Sequence, residues 1–471
     1  MSVASRQYYG RSKIFSSVEA ITRENISEVI SNVIVEHSIN KDKIEYLYNY
    51  YKGKQPINER TKEVRAEICN KIVENVANEI VSFKVGFYVG EPIQYISRSS
   101  DESVSESINE LNDYMVETDK ESLDKELAEW MCIAGTGYRM VLPNNDMTIE
   151  APYQLYTLHP GQTFVVYSNK IGHKKLCAGC CIYDEKNQLT KISVYTDTTY
   201  YELEALTYKV VSEKPHLLGM IPIIEYPLNN ARLGVFEPAL PLLDTLSEIQ
   251  SNRLDGIEQF VQSLLVVYNA TFEEGTTAQT IRESGMVILH NVGEQKADIK
   301  EIAEQLDQTQ TQVLKDDIYN SILRIVGMPS QGDGNTSDSS NNGAMILKNG
   351  WQGAEARAKD FELIFKKSER ESLRLILKIC REIANLNLQL RDIDIKFTRR
   401  QYQDLLAKSQ VLTTMLANEK IAPELAFTNC GLFSDPQEAY QKSMQWYESN
   451  KPKVEIKTTE EMVATDENVA I

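Results

Sequence analysis

The stretch "YPLNNARLGVFEPALPLLDTLSEIQSNRLDGIEQFVQSLLVV" occupies residues 226–267, and its reading decides the fold. An Asn-rich turn closes a tract of strand-like runs, and a helical pattern begins. Ala239, Leu242, Leu243, Leu246, Ile249, Leu254, Ile257, Phe260, Val261 and Leu264 recur at helical spacing between Glu237 and Leu265. That spacing predicts a helix of about 28 residues, or ~42 Å at about 1.5 Å per residue. An insert follows, "VVYNATFEEGTTAQTIRESGMVILHNVGEQ", which reads as strand, short helix, strand. A second long helix is predicted over Ala297–Val326, with Ile302, Leu306, Val313, Ile318, Ile322 and Ile325 on its stripe and Gly327 and Pro329 as its stop. The expected motif is two long antiparallel helices joined by a small α/β tip.

N-terminal to this stretch, Tyr138–Tyr226 is rich in short β-like runs such as "TFVVYS", "KISVYT" and "TYYELEAL". Ahead of them, helices are predicted over Ser105–Ala134, over Thr61–Phe83 (Val64, Ile68, Ile72, Val76, Ile80) and within "NKDKIEYLYNYYKGKQPI" (Ile44, Leu47, Tyr48, Tyr51). "VGFYVGEPIQYI" reads as strand, turn, strand, and residues 1–25 as a polar, mobile arm.

On the C-terminal side stands "GMPSQGDGNTSDSSNNGAMILKNGW", residues 327–351, whose middle, Gln331–Gly343, has no apolar side chain. A third long helix is predicted over Ala344–Asn385, carrying Leu347, Trp351, Ala354, Ala358, Phe361, Phe365, Ile376 and Ile383 on one face. "DIDIKFT" alternates like a strand. Shorter helices follow, and the acidic tail after Asn450 is expected to be disordered.

The 471 residues carry a formal net charge of −18, with ordinary hydrophobic (42%) and charged (25%) fractions. No apolar run approaches the ~20 residues that span a bilayer, and the N-terminal stretch lacks a signal-peptide core. The seven cysteines form no regular framework, as expected of a reducing compartment. The acidic balance argues against gripping duplex DNA through its phosphates. It is compatible with a surface along which DNA slides.

Motifs for catalysis are weak. The polar stretch lacks the Gly-Lys-Ser/Thr of a phosphate loop. Asp333, Asn335 and Ser337 resemble the start of a calcium loop, but Ala344 stands where a bidentate Glu is needed. His173, Cys177, Cys180 and Cys181 lie close together without the second pair that structural zinc sites use, and read as strand residues beside a turn. Asp392 and Asp394 alternate on one strand face, where acids could hold Mg²⁺, but Arg391, Arg399 and Arg400 favour a salt-bridged face. No metal, cofactor or catalytic residue is assigned.

Four segments resemble the portal proteins of tailed bacteriophages, of the siphophage type: "YLYNYYKGKQPI", "NKIVENVANEIVSFKVGFYVGEPIQY", the opening stretch, and "GMPSQGDGNTSDSSNNGAMILKNGWQGAEARAKDFE". The resemblance implies an α+β, mainly helical portal fold with wing, long-helix stem, small α/β clip, tunnel loop and helical crown. In this sequence the parts would be a flexible N-terminus (1–25), wing (26–236), first stem helix (237–267), clip (268–296), second stem helix (297–328), tunnel loop (329–343), long helix with a wing strand (344–398), crown (399–450) and disordered tail (451–471). It implies a twelve-fold ring at one capsid vertex of the virion, assembled in the bacterial cytoplasm, through which DNA is packaged and later ejected. The implied partners are further copies of the chain, double-stranded DNA without sequence specificity, the large terminase subunit, major capsid and scaffolding proteins, and a head–tail connector. No membrane is among them. The channel loop would present Gln331, Asp333, Asn335, Thr336, Ser337, Asp338, Ser339, Ser340, Asn341 and Asn342. Docking through the clip would use Glu273, Glu274, Arg282 and Glu283. A ring of this kind is not an enzyme. The competing reading is a metal-dependent nuclease or terminase-like enzyme, which needs a nucleotide loop or an acidic triad that the sequence does not display.

Overall fold

The computed structural model describes residues 10–63, 65–98, 101–144, 148–186, 188–261, 264–268, 270–272, 289–291, 298–302, 308–329, 351–398, 405–433 and 436–450. The chain divides into two units, Met1–Phe397 and Thr398–Ile471.

The first unit is built around a six-stranded sheet and two smaller ones. Strand β1 (Ile14–Ser16) lies parallel to β5 (Thr163–Ser168) at one edge of the large sheet. From β5 the order continues through β6 (Lys175–Tyr183), β7 (Leu189–Tyr195), β8 (Thr199–Glu204) and β9 (Val210–Pro215), all antiparallel. Helix α1 (Ile26–Tyr51) covers one face, where Ile26, Ile30 and Val33 meet Phe164, Val166, Cys177, Ile192 and Val194. Alternation puts Val165, Tyr167 and Ala178 on the other face, against Tyr138 and Ile223. Those two residues belong to a three-stranded sheet of β3 (Thr136–Pro143), β4 (Tyr153–Leu158) and β10 (Ile223–Pro227).

The N-terminal arm therefore departs from expectation. Ile14 is 4% exposed within β1, and Arg11 is buried against Glu237, so residues 14–16 form the sheet's edge and the segment just before them is tied to Glu237.

Helix α2 covers Val76–Val89, not Thr61–Phe83. The backbone of residues 70–74 instead runs along α5 (Leu240–Val261). Asp255 accepts from Asn70 N at 2.8 Å, Ser251 from Ile72 N at 3.0 Å and Ser247 from Glu74 N at 3.3 Å. Three side chains spaced by four on one helix face thus meet alternate amides of an extended segment. These bonds supply what a helix would have supplied, and tertiary contact overrides the apolar spacing. Val85–Val89, expected as strand, continues α2. Strand β2 (Gln94–Ser97) follows and pairs with the much later β15 (Ile393–Lys396).

The predicted helix over Ser105–Ala134 is two, α3 (Glu102–Glu117) and α4 (Lys120–Ala134). Asp119, at φ +50, makes the break, because a left-handed residue cannot continue a right-handed helix. Gly135 ends α4 at φ +75, where a Cβ would sit 2.1 Å from Arg232 O.

The long central helix begins with a 3-10 turn, Glu237–Ala239, and its α-helical part is Leu240–Val261. Leu264–Tyr268 is strand β11, paired antiparallel with β14 (Asp298–Ile302) from Leu264↔Ile302 to Tyr268↔Asp298. Both predicted helices overran into these segments. The β-branched run at Val266–Val267 favours the extended form once a partner strand is present. Ala270–Phe272 (β12) and Leu289–Asn291 (β13) form a second antiparallel pair. The short helix expected in the insert falls outside the described residues. Helix α6 is Thr309–Val326, shorter than the predicted Ala297–Val326. The described part of α7 is Trp351–Ile383, which ends two residues before the predicted Asn385, while residues 344–350 lie outside the described residues. The largest core cluster unites α7 residues Phe361, Phe365, Leu373 and Ile376 with α2, α4, β4 and the start of α5.

The second unit contains helices α8 (Leu405–Leu416), α9 (Pro423–Cys430) and α10 (Pro436–Ser449). Phe427 packs on Phe433 at 5.2 Å and on Tyr440 at 5.7 Å between ring centroids.

Candidate functional site

The polar segment leaves α6 and returns into α7, so its described flanks are Ile325–Pro329 and Trp351–Arg357. Gly327, at φ +64, ends α6 in a Schellman turn: Met328 N donates to Leu323 O at 2.9 Å and Gly327 N to Arg324 O at 3.3 Å. Lys84 on α2 is 1% exposed and donates to Gly327 O at 2.8 Å. Burial, with Arg357 nearby, lowers its ammonium pKa to about 8. Arg357 Nη1 donates to Ile325 O at 2.8 Å. Trp351 rests on Phe83 and Phe87 at 6.1 and 5.9 Å between ring centroids. One helix, α2, therefore holds both flanks: its Lys84 binds the outgoing end and its two phenylalanines hold the returning end.

Helix α7 is in turn held to the body by a buried ionic cluster. Glu369 is 0% exposed and accepts from Tyr95 at 2.6 Å and Tyr226 at 2.7 Å. Lys120 and Arg139 lie 3.1 and 3.3 Å from its carboxylate. Asp124 balances the second cation, 2.7 Å from Lys120 and 2.5 Å from Arg139. Burial alone would raise the Glu369 carboxyl, but the two cations and two phenols hold it well below the usual carboxylate range. The six groups come from α4, β2, β3, β10 and α7.

A second buried pair, Glu225 with Arg232 (2.6 and 2.8 Å), fixes the turn before α5. A third, Arg11 with Glu237 at 2.5 Å, ties the N-terminal segment to the start of that helix, where Gly10 N and Gly234 N also donate to Glu237. These contacts fix the helices that frame the polar segment and the insert.

The predicted channel residues Gln331, Asp333, Asn335, Thr336, Ser337, Asp338, Ser339, Ser340, Asn341 and Asn342 lie outside the described residues, as do Glu273, Glu274, Arg282 and Glu283. The calcium-like stretch does too. Cys177 and Cys181 point into the α1 side of the large sheet, while Cys180 faces the opposite side and meets Thr163. The strand therefore separates the CxxC pair. His173 Nδ1 lies 3.1 Å from Ser168 O, and the ring packs on Phe15. Among the described residues, no three His, Cys, Asp or Glu side chains gather as metal ligands do. Asp392 sits in a 3-10 turn beside Arg391, and Asp394 is on β15, so the two do not share one strand.

Sequence reading missed Lys84, Arg357 and the Glu369 cluster. One signal was present: Glu369 falls on the apolar stripe of α7, four residues after Phe365.

The family model described as "Phage portal protein, SPP1 Gp6-like" matches residues 30–453. No curated protein sequence matches the chain. A solved structure titled "Neck of empty GTA particle computed with C6 symmetry" aligns over 77% of this chain and 91% of that one, at 12% identity and a TM-score of 0.40. The family match spans the N-terminal body, the helices around the insert and polar segment, and most of the C-terminal unit, and by it the chain belongs to the phage portal proteins of SPP1 Gp6-like type, components of the phage head that assemble as homo-oligomeric rings.

Proposed function

We propose that the ring is a twelve-subunit channel at one capsid vertex, through which a terminase motor packages double-stranded DNA and DNA later leaves. The observation that carries this reading is the family match over residues 30–453. In this reading α5 and α6 are the stem, residues 268–296 the clip that meets the terminase and then the connector, residues 26–236 with α7 the wing, and residues 399–450 the crown. Capsid and scaffolding proteins surround the ring, which is assembled in the host cytoplasm and carries out no chemistry of its own. Segment 331–343 lines the channel. It offers Asp333 and Asp338 and no cation, so it touches phosphates weakly and lets them pass.

The test is direct. Projection images of the purified protein should show rings with a central hole; monomers at every concentration would overturn the reading. Asp333→Lys with Asp338→Lys should leave rings intact and slow packaging, most at low salt, where the Debye length reaches ~30 Å at about 0.01 M. Unchanged packaging at all salt concentrations would remove the segment from the channel. Glu273→Lys with Glu274→Lys should spare assembly and weaken motor docking; loss of rings would refute the clip assignment.

A further inference from the structure

In a chain of net charge −18, the solvent face of α7 carries an excess of cations over the exposed Asp360. Lys359, Lys367, Arg370 and Arg374 are exposed and fall on one side of the helix over about 22 Å. Leu363, 68% exposed, sits among them. None of the four is joined to an acid among the described residues, whereas other cations of this helix are occupied: Lys378 by Leu217 O and Leu218 O, Arg357 by Ile325 O.

Helix α3 shows the opposite pattern. Its sequence, ESVSESINELNDYMVE, holds five acids and no cation. Glu106, Glu110, Asp113 and Glu117 stand at i, i+4, i+7 and i+11, on one exposed face about 17 Å long. Val116, 78% exposed, stands beside them. Tyr114 donates to Glu110 at 2.6 Å, and the Glu150 and Ala151 amides donate to Glu117 at 2.6 and 2.7 Å. No cation pairs with any of the four among the described residues. A row of like charges at these spacings is self-repelling on an isolated helix.

A ring of identical subunits needs two different, complementary patches on each copy. We propose that the cationic face of α7 docks on the acidic face of α3 of the adjacent copy, with Leu363 and Val116 as the apolar contacts, and that this heterologous contact closes the ring. The inference rests on the ring assembly above and names the surfaces that make it. The two stripes have opposite charge, overlapping length and one bare aliphatic each, and among the described residues each lacks an ionic partner. A nucleic acid could satisfy α7 alone, but would leave α3 self-repelling.

The experiment reverses each face in the full-length chain. Lys367→Glu with Arg370→Glu and Arg374→Glu should raise the concentration for half-maximal ring formation by at least about tenfold. Glu106→Lys with Glu110→Lys and Asp113→Lys should do the same. A chain carrying both sets should regain rings, because the swapped faces are again complementary. Each variant is checked by circular dichroism. Any that fails to fold is replaced by the corresponding glutamine variant, read by the salt dependence of assembly, which should fall relative to the wild type. Wild-type rings with both single-face variants assembling normally would overturn this pairing alone. So would a doubly swapped, folded chain that stays dissociated. Loss of DNA retention by the α7 variant with assembly unchanged would assign that face to nucleic acid and overturn the proposal. A wild-type chain that forms no ring overturns both this inference and the ring on which it rests.

Discussion

Helices α5 and α7 are both long and amphipathic, and each buries a carboxylate, yet only α5 adds a row of hydroxyls that meets backbone amides. The buried polar side of α5 offers the hydroxyls of Ser247 and Ser251 to backbone amides of an extended segment, while Asp255 accepts from the Asn70 amide and also pairs with Arg60 and Lys62. The buried side of α7 offers one carboxylate, Glu369, to two cations and two phenols. The difference is one of matching. A hydroxyl satisfies a neutral amide at little desolvation cost, so a polar helix face can replace a strand partner. A buried carboxylate is tolerable only when charges of opposite sign and further donors surround it. Segment 70–74 is therefore held by two neutral hydroxyl contacts and one charged anchor at Asp255, and α7 by one large, mutually dependent cluster.

The largest expected effect breaks the α7 side. Glu369→Ala leaves Lys120 and Arg139 sharing only Asp124, and should lower the unfolding free energy of the first unit by about 3–5 kcal/mol, read by urea titration. A loss under about 1 kcal/mol would show that the cluster is not mutually dependent.

A pH series sharpens the same point. The Glu369 pKa in the folded chain lies below its ordinary 4.5. Its contribution is therefore complete above about 4.5 and is lost as pH falls below that value and the unfolded chain takes up the proton. The stability gap between wild type and Glu369→Gln should be widest at neutral pH and narrow under acid. A gap independent of pH down to about 3 would contradict the assignment.

On the α5 side, Ser251→Ala strands the Ile72 amide and should cost about 1–2 kcal/mol, with faster hydrogen exchange confined to residues 70–74. Global acceleration of exchange would mean that the segment is more than a docked strand. The smallest effect serves as a baseline: Lys125→Ala removes an exposed pair with Glu121, 2.9 Å apart, and should change stability by less than about 0.5 kcal/mol.

Much of the fold was legible in the sequence. The apolar spacing located the later part of α1, the main span of α5, the later part of α6 and most of α7, although Ile257, Val313, Ile325, Trp351 and Ile383 of those stripes are exposed and only the remainder faces the core. It failed where another element supplies the hydrogen bonds. Ile68, Ile72 and Val76 keep helical spacing, but the amides among them are taken by α5. Leu264–Tyr268 and Asp298–Ile302 needed each other to become strands, and a one-dimensional pattern does not show a partner 30 or more residues away. The same limit hid the clusters. Lys120, Arg139 and Glu369 form no local motif, and only the Glu on an apolar stripe hinted at them. The channel and docking residues are expected from family order alone, and their positions lie outside the described residues.

The parallel strand β1 has a consequence for biosynthesis. Ile14–Ser16 is the first described element to leave the ribosome, yet its partner β5 begins at Thr163 and Arg11 must wait for Glu237. The edge of the large sheet therefore cannot be completed until Ser168 has been translated, and the Arg11–Glu237 pair not until 226 residues separate Arg11 from the newest one. Until then its apolar Ile14 and the guanidinium of Arg11 remain unplaced on the nascent chain. Such non-local closure slows folding and leaves an open sheet edge during the interval when a chain is most exposed to chaperones and to misassociation with neighbours. A fusion placed ahead of residue 10 would be present throughout that wait, which makes the N-terminus the less forgiving end of this unit at which to attach a tag.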